Sequence, residues 1–141
     1  MIDSFESYLK QGKAKRKTAD KVEADSLLER AKKRMSYLRV LNKETAFLVV
    51  DDAYESAREA AQALMSKDGF KPYSHEATIS FLVCSYKNEF EEYELREFDR
   101  FRDLRNKINY QAKEVSEGEA LKWVEFTKSI IKKIEEIIRR K

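Results

Sequence analysis

Three glycines and one proline in 141 residues leave this chain very few places to turn. Glycine supplies left-handed turn residues and proline interrupts helices. A chain this poor in both must run in long elements joined by short loops. No segment alternates apolar and polar residues between turn signals, which predicts essentially no strand. The fold class read from this is all-α, an up-and-down bundle of four to five helices.

The length suits one domain with a core of its own. Hydrophobic residues at 42% beside charged residues at 39% describe a soluble globular protein with a heavily charged surface. Residues 1–16 read as a basic amino-terminal arm or short helix, with Ile2, Phe5 and Leu9 hinting at an amphipathic turn. Residues 17–141 read as the bundle. The KAKRK run reads as a solvated linker. The first long helix is expected over Thr18–Leu41, with Val22, Leu27 or Leu28, Ala31, Met35, Leu38 and Leu41 inward and Asn42 as its stop. The second is expected over Lys43–Lys67, with Phe47, Val50, Tyr54, Ala57, Ala61 and Leu64 inward. Its alanines let a neighbour approach closely. Gly69 and Pro72 end it. Ser74 caps a third helix over His75–Glu94, with Ile79, Leu82, Val83, Tyr86 and Phe90 inward. A fourth follows from between Leu95 and Asp99 to between Gln111 and Val115, either separate or as one bent continuation. Ser116 and Glu119 form a capping box for the last helix, whose stripe runs from Ala120 to Ile138.

The formal charge of +3 does not by itself imply nucleic acid. Its distribution is uneven. Lys10–Lys21 is strongly basic, Glu89–Asp99 strongly acidic, and the chain ends Arg139-Arg140-Lys141. Cys84, the single cysteine, allows no intrachain disulfide and reads as a small buried thiol. His75, the single histidine, reads as a cap or packing residue whose neutral form the helix dipole favours. There is no HxH, HExxH or Cys/His cluster, so neither a metal site nor a cofactor is expected. No signal peptide and no apolar run long enough to span a bilayer is present, and the expected location is cytoplasmic.

The stretch Phe98–Gln111, FDRFRDLRNKINYQ, carries the most chemistry. Phe98, Phe101, Leu104 and Ile108 form one apolar stripe. Arg105 projects from its border and Asn109 lies one turn above. Arg102, Asn106 and Tyr110 make the adjacent row at i, i+4 and i+8. Arginine and asparagine in such a strip either pair with a neighbouring helix or bind phosphate, for which the guanidinium offers a planar fork.

Two segments together resemble the HEPN superfamily of helical domains. One is YESAREAAQALMSKDGFKPYSHEATISFL, Tyr54–Leu82: an alanine-rich helix, a Gly and Pro turn, then a Ser-His pair opening the next helix. The other is LRNKINY, Leu104–Tyr110, at the place of that family's R-x4-6-H motif. The resemblance covers about Lys17 to Arg139. It implies a two-fold homodimer in which the motif helices meet across a cleft. It also implies a role as a metal-independent endoribonuclease, as a toxin paired with a small nucleotidyltransferase antitoxin, or as a non-catalytic RNA- or nucleotide-binding module.

On that resemblance Arg105 matches the motif Arg and Asn106 its polar follower, while Tyr110 stands where the family has His. Metal-free RNA cleavage needs a group to take the 2′-hydroxyl proton, and histidine suits this because its pKa lies near neutrality. A tyrosine with a pKa of about 10 is a poor base but can still donate a proton or stack on a base. Arg105 and Tyr110 also lie about 140° apart on an ideal helix. The motif tyrosine found two residues beyond the His in some members is Ala112 here. The expected site is therefore Arg105, Asn106 and Tyr110 for any chemistry, with Arg102, Arg105 and Asn109 binding RNA or phosphate. The leading expectation is a binding module of weak or absent nuclease activity. An active endoribonuclease and a purely structural or interaction bundle stand as alternatives.

Overall fold

A computed structural model describes residues 3–140. Ile2 of the expected amphipathic turn and the terminal Lys141 lie outside the described residues. In chain order the elements are α1 (Phe5–Lys10), β1 (Ala14–Arg16), α2 (Lys21–Ser36), α3 (Ala46–Asp68), β2 (Phe70–Pro72), α4 (His75–Ser85), α5 (Glu92–Gln111) and α6 (Glu117–Ile138). The helical bundle is as expected, with one short helix more among the described residues.

At the centre lies α3. Its small residues Ala53, Ala57, Ala60, Ala61 and Ala63 are all fully buried, so α2 and α6 approach its backbone closely. Thr127 of α6 donates its hydroxyl to the Ala53 carbonyl at 3.3 Å. From α5, Phe98 and Phe101 pack edge-on against Tyr54 of α3, and Phe101 stacks on Trp123 of α6 with centroids 4.5 Å apart. One charge is taken into this packing. Glu59 of α3, 3% exposed, is met by Arg34 of α2 at 2.9 Å and Arg30 at 3.5 Å. A carboxylate so buried persists only because it is paired.

The helix ends follow local side-chain chemistry. The hydroxyls of Ser74 and Ser116 accept the N–H groups of Ala77 and Glu119, as their sequence positions indicate. Gly69 closes α3 at φ +87°. Elsewhere the ends differ from expectation. α2 starts at Lys21, capped by Asp20, and stops at Ser36 rather than Leu41. Beyond it, Asn42 Oδ1 accepts the N–H groups of Glu44 and Thr45, and Thr45 Oγ1 donates to the Val40 carbonyl. That turn holds Val40 out of the helix and delays α3 to Ala46. α4 also ends early, at Ser85. The Glu94 carboxylate accepts the Glu91 N–H at 2.8 Å and opens α5 there, so α4 and α5 are two helices rather than one bent helix.

Three further expectations are corrected. Val22 is 77% exposed, and Val83 and Phe47 are also exposed, because the buried arc of each helix is narrower than its apolar stripe. Cys84 is exposed rather than buried, on the last turn of α4. Strand is present. β1 and β2 pair antiparallel, with Ala14 opposite Pro72, Lys15 opposite Lys71 and Arg16 opposite Phe70. The KAKRK run is thus half strand, and α1 beside it buries Phe5 and Tyr8. Phe5 meets Phe70 and Phe81 edge-on, which ties this segment to β2 and α4.

Gly69 joins these parts. Its carbonyl accepts the Lys17 N–H at 2.8 Å, and a Cβ placed on it would meet the Lys17 carbonyl oxygen at 2.8 Å. Gly69→Ala is expected to destabilise the fold by about 1–3 kcal/mol from left-handed strain, and more from the clash. Denaturant unfolding measures this, and an unchanged midpoint would contradict the close approach.

Candidate functional site

Three helices bring charged side chains to one place. α3 presents Asp51, Glu55 and Arg58 at i, i+4 and i+7, a single row on an otherwise alanine-rich helix. α5 lays Arg102, Arg105 and Asn109 beside that row, and α4 opens there with His75 and Glu76.

Arg105 is 17% exposed and bridges two carboxylates. Its Nε donates to Asp51 Oδ1 and its Nη2 to Glu55 Oε1, both at 3.0 Å. Asn109 Nδ2 donates to the same Asp51 oxygen at 3.2 Å. The other Glu55 oxygen accepts from Arg58 at 3.0 and 2.9 Å, and Arg58 Nη1 reaches Gln62 at 3.2 Å. Arg102 is held apart, by Asp99 at 2.9 Å and by Glu76 at 3.5 Å. The carboxylates both orient the guanidiniums and offset most of their charge. They leave Arg105 Nη1 without a protein acceptor among the described residues.

Tyr54 is the hub. The Arg105 guanidinium sits 5.6 Å from its ring centroid and the His75 ring 5.3 Å from it. Burial pushes the Tyr54 hydroxyl pKa up, so it stays protonated and can only donate or accept a hydrogen bond. Burial also lowers the His75 pKa below its ordinary value of 6.5. The Arg58 and Arg105 guanidiniums, and Arg102 beyond them, push it the same way against Glu55. His75 is therefore neutral at pH 7 chiefly through burial beside arginines, a cause more specific than the helix dipole. Its ring nitrogens have no protein hydrogen-bond partner among the described residues. The cluster thus pairs a neutral imidazole with fixed guanidiniums, the combination needed to meet a phosphate ester and a neighbouring hydroxyl.

The expected residues divide. Arg105 and Asn109 are brought together through Asp51, with Arg102 nearby. Asn106 is half-buried and its side chain makes no hydrogen bond among the described residues. Tyr110 is 79% exposed near the end of α5 and is not brought to Arg105. Tyr54, Arg58, His75 and the α3 carboxylates complete the cluster. The polar row on α3 was their one visible signal.

The family model described as HEPN domain matches residues 24–137. The chain belongs to the HEPN family. That family is associated with RNA binding or RNase activity and with toxin–antitoxin systems. No curated protein matches the chain. In this HEPN domain Arg105 is braced from α3, and the one histidine enters from α4.

His75 gives the fold a pH signature. Its folded-state pKa lies below the unfolded value, so stability is fully present above 6.5 and is lost as pH falls below it toward the folded pKa. Wild type is expected to lose denaturant resistance between pH 7 and 5, and His75→Gln to flatten that slope. The chain has no other histidine to supply it. Equal slopes in the two proteins would place His75 in solvent.

Proposed function

We propose that this HEPN domain binds RNA or nucleotide phosphates through the face carrying Arg102, Arg105 and Asn109, in a cleft completed by a second copy of the chain. On this reading it is weak or inactive as a nuclease and works beside a small nucleotidyltransferase of the toxin–antitoxin type. The partner and the dimer rest on the family alone.

One observation supports the binding face above all. Arg105 is held rigidly by Asp51 and Glu55, while its Nη1 has no acceptor among the described residues, and its guanidinium and the His75 ring both pack against Tyr54. A guanidinium fixed in this way loses little freedom when it meets a phosphate oxygen. Low nuclease activity is supported by Tyr110, which is exposed and lies about 140° round α5 from Arg105, so the motif position supplies no positioned base.

Each alternative has its own support. His75 favours an active metal-independent endoribonuclease, since it is neutral at pH 7 and near Arg105. The Arg105–Asp51–Glu55 network favours a structural role, since it ties α5 to α3 without any ligand.

The test uses single-stranded RNA and two variants. Arg105→Lys keeps the charge but loses the fork, and Arg105→Ala loses both. Binding is expected to weaken about tenfold in Arg105→Ala and by a smaller factor in Arg105→Lys, measured by fluorescence anisotropy on protein whose circular dichroism is unchanged. Equal binding by all three would remove this reading. RNA incubated with wild type in EDTA is expected to remain largely intact, and Tyr110→His is expected to change this little because position 110 lies away from Arg105. Rapid wild-type cleavage would instead favour the endoribonuclease.

A further inference from the structure

The β1–β2 ribbon carries an electrostatic conflict. Lys15 and Lys71 stand directly opposite in the antiparallel pair, so their side chains share one face. Like charges so placed repel and weaken a ribbon that is only three residues long. Neither lysine has a carboxylate partner among the described residues. The nearby carboxylates are engaged elsewhere: Glu23 with Lys17 at 3.7 Å and with the Ser66 hydroxyl, Glu59 with Arg34 and Arg30. A local arrangement that opposes stability marks a place where function rather than folding has set the residues.

Both lysines line a groove of about 470 Å³ that also takes in Lys17, Arg30 and Gln62. Beside it lies Tyr73, 54% exposed, with the Lys15 ammonium 5.9 Å and the Lys71 ammonium 5.7 Å from its ring centroid. An exposed aromatic ring beside two ammoniums that lack carboxylate partners suits a base on the ring and phosphates on the ammoniums. The groove also leads somewhere. Gln62 on its wall accepts the Arg58 N–H at 3.2 Å, and Tyr73 is two residues from His75. Gln62 thus connects the groove wall to Arg58, a member of the cluster that includes His75 and Arg105.

We infer that the Lys15–Lys71 groove is a second binding site, a track for the phosphodiester backbone of single-stranded RNA that stacks a base on Tyr73 and leads the strand to Arg105. This rests on the RNA-binding reading of the Arg105 face and adds to it a site toward the opposite end of α3, built from the ribbon. A phosphate between the two ammoniums turns their repulsion into two attractions.

The decisive variant is Lys71→Glu. It replaces a like-charged cross-strand pair with an opposite one, so the melting temperature is expected to hold or rise. Affinity for a fluorescein-labelled 12-nucleotide poly(U) RNA is expected to fall about tenfold, and the dependence of log affinity on log salt to flatten by about 0.7 for each phosphate no longer neutralised. Lys15→Glu is the mirror variant and must behave alike. The result that overturns the inference is wild-type affinity and wild-type salt dependence in both variants while Arg105→Ala still weakens binding. That outcome leaves the Arg105 reading standing. If wild type itself does not bind the RNA, both readings fall together.

Discussion

Nearly everything in this molecule is referred to α3, a helix with hardly any face left to water. Its alanines permit close contact with α2 and α6, and a close-packed interior tolerates little change in volume. Such a helix is rigid by confinement. The few polar groups it carries are therefore fixed in space more firmly than the same groups on a surface helix. Glu59 faces α2 and is closed off by arginines. Asp51 and Glu55 face α5 and hold Arg105. The site inherits its order from the core.

This arrangement makes Arg105 part of the structure as well as of the proposed binding face. A bridging guanidinium ties two helices, and the same bridge selects its rotamer. Ligand phosphate and protein carboxylate then compete for one group. The surplus N–H groups of Arg105 decide how far both can be served. A surface arginine would be freer to follow a ligand but would arrive with a larger loss of conformational entropy.

How much of this was legible varies by residue. The scarcity of glycine and proline announced helices, and Gly69, Ser74 and Ser116 ended or opened them where their chemistry required. The ribbon was invisible because three residues give no periodicity and the two strands lie far apart along the chain. The α4–α5 break was hidden because the cap is a pair of glutamates in an acidic run. Val22 and Cys84 face water against expectation because the neighbours, not the helix, decide which apolar residue is covered. At the site, the Arg105–Asn109 row was readable on α5. Its partners on α3 were not, since helical spacing says nothing about which helix lies opposite. His75 stood out as a residue, but nothing in its local sequence marks it as a neighbour of Arg105.

The pairing of β1 with β2 has a kinetic meaning. Residues 14–16 leave the ribosome before their partners at 70–72, which follow only after α2 and α3 have been made. Contacts of such separation carry a larger loop-closure cost than those within a helix. The β1 segment therefore waits for its partner strand during synthesis. It also lies upstream of the residues matched by the family model. Two of the four basic residues of the groove, Lys15 and Lys17, come from this segment, so the groove is complete only when β1 has paired with β2.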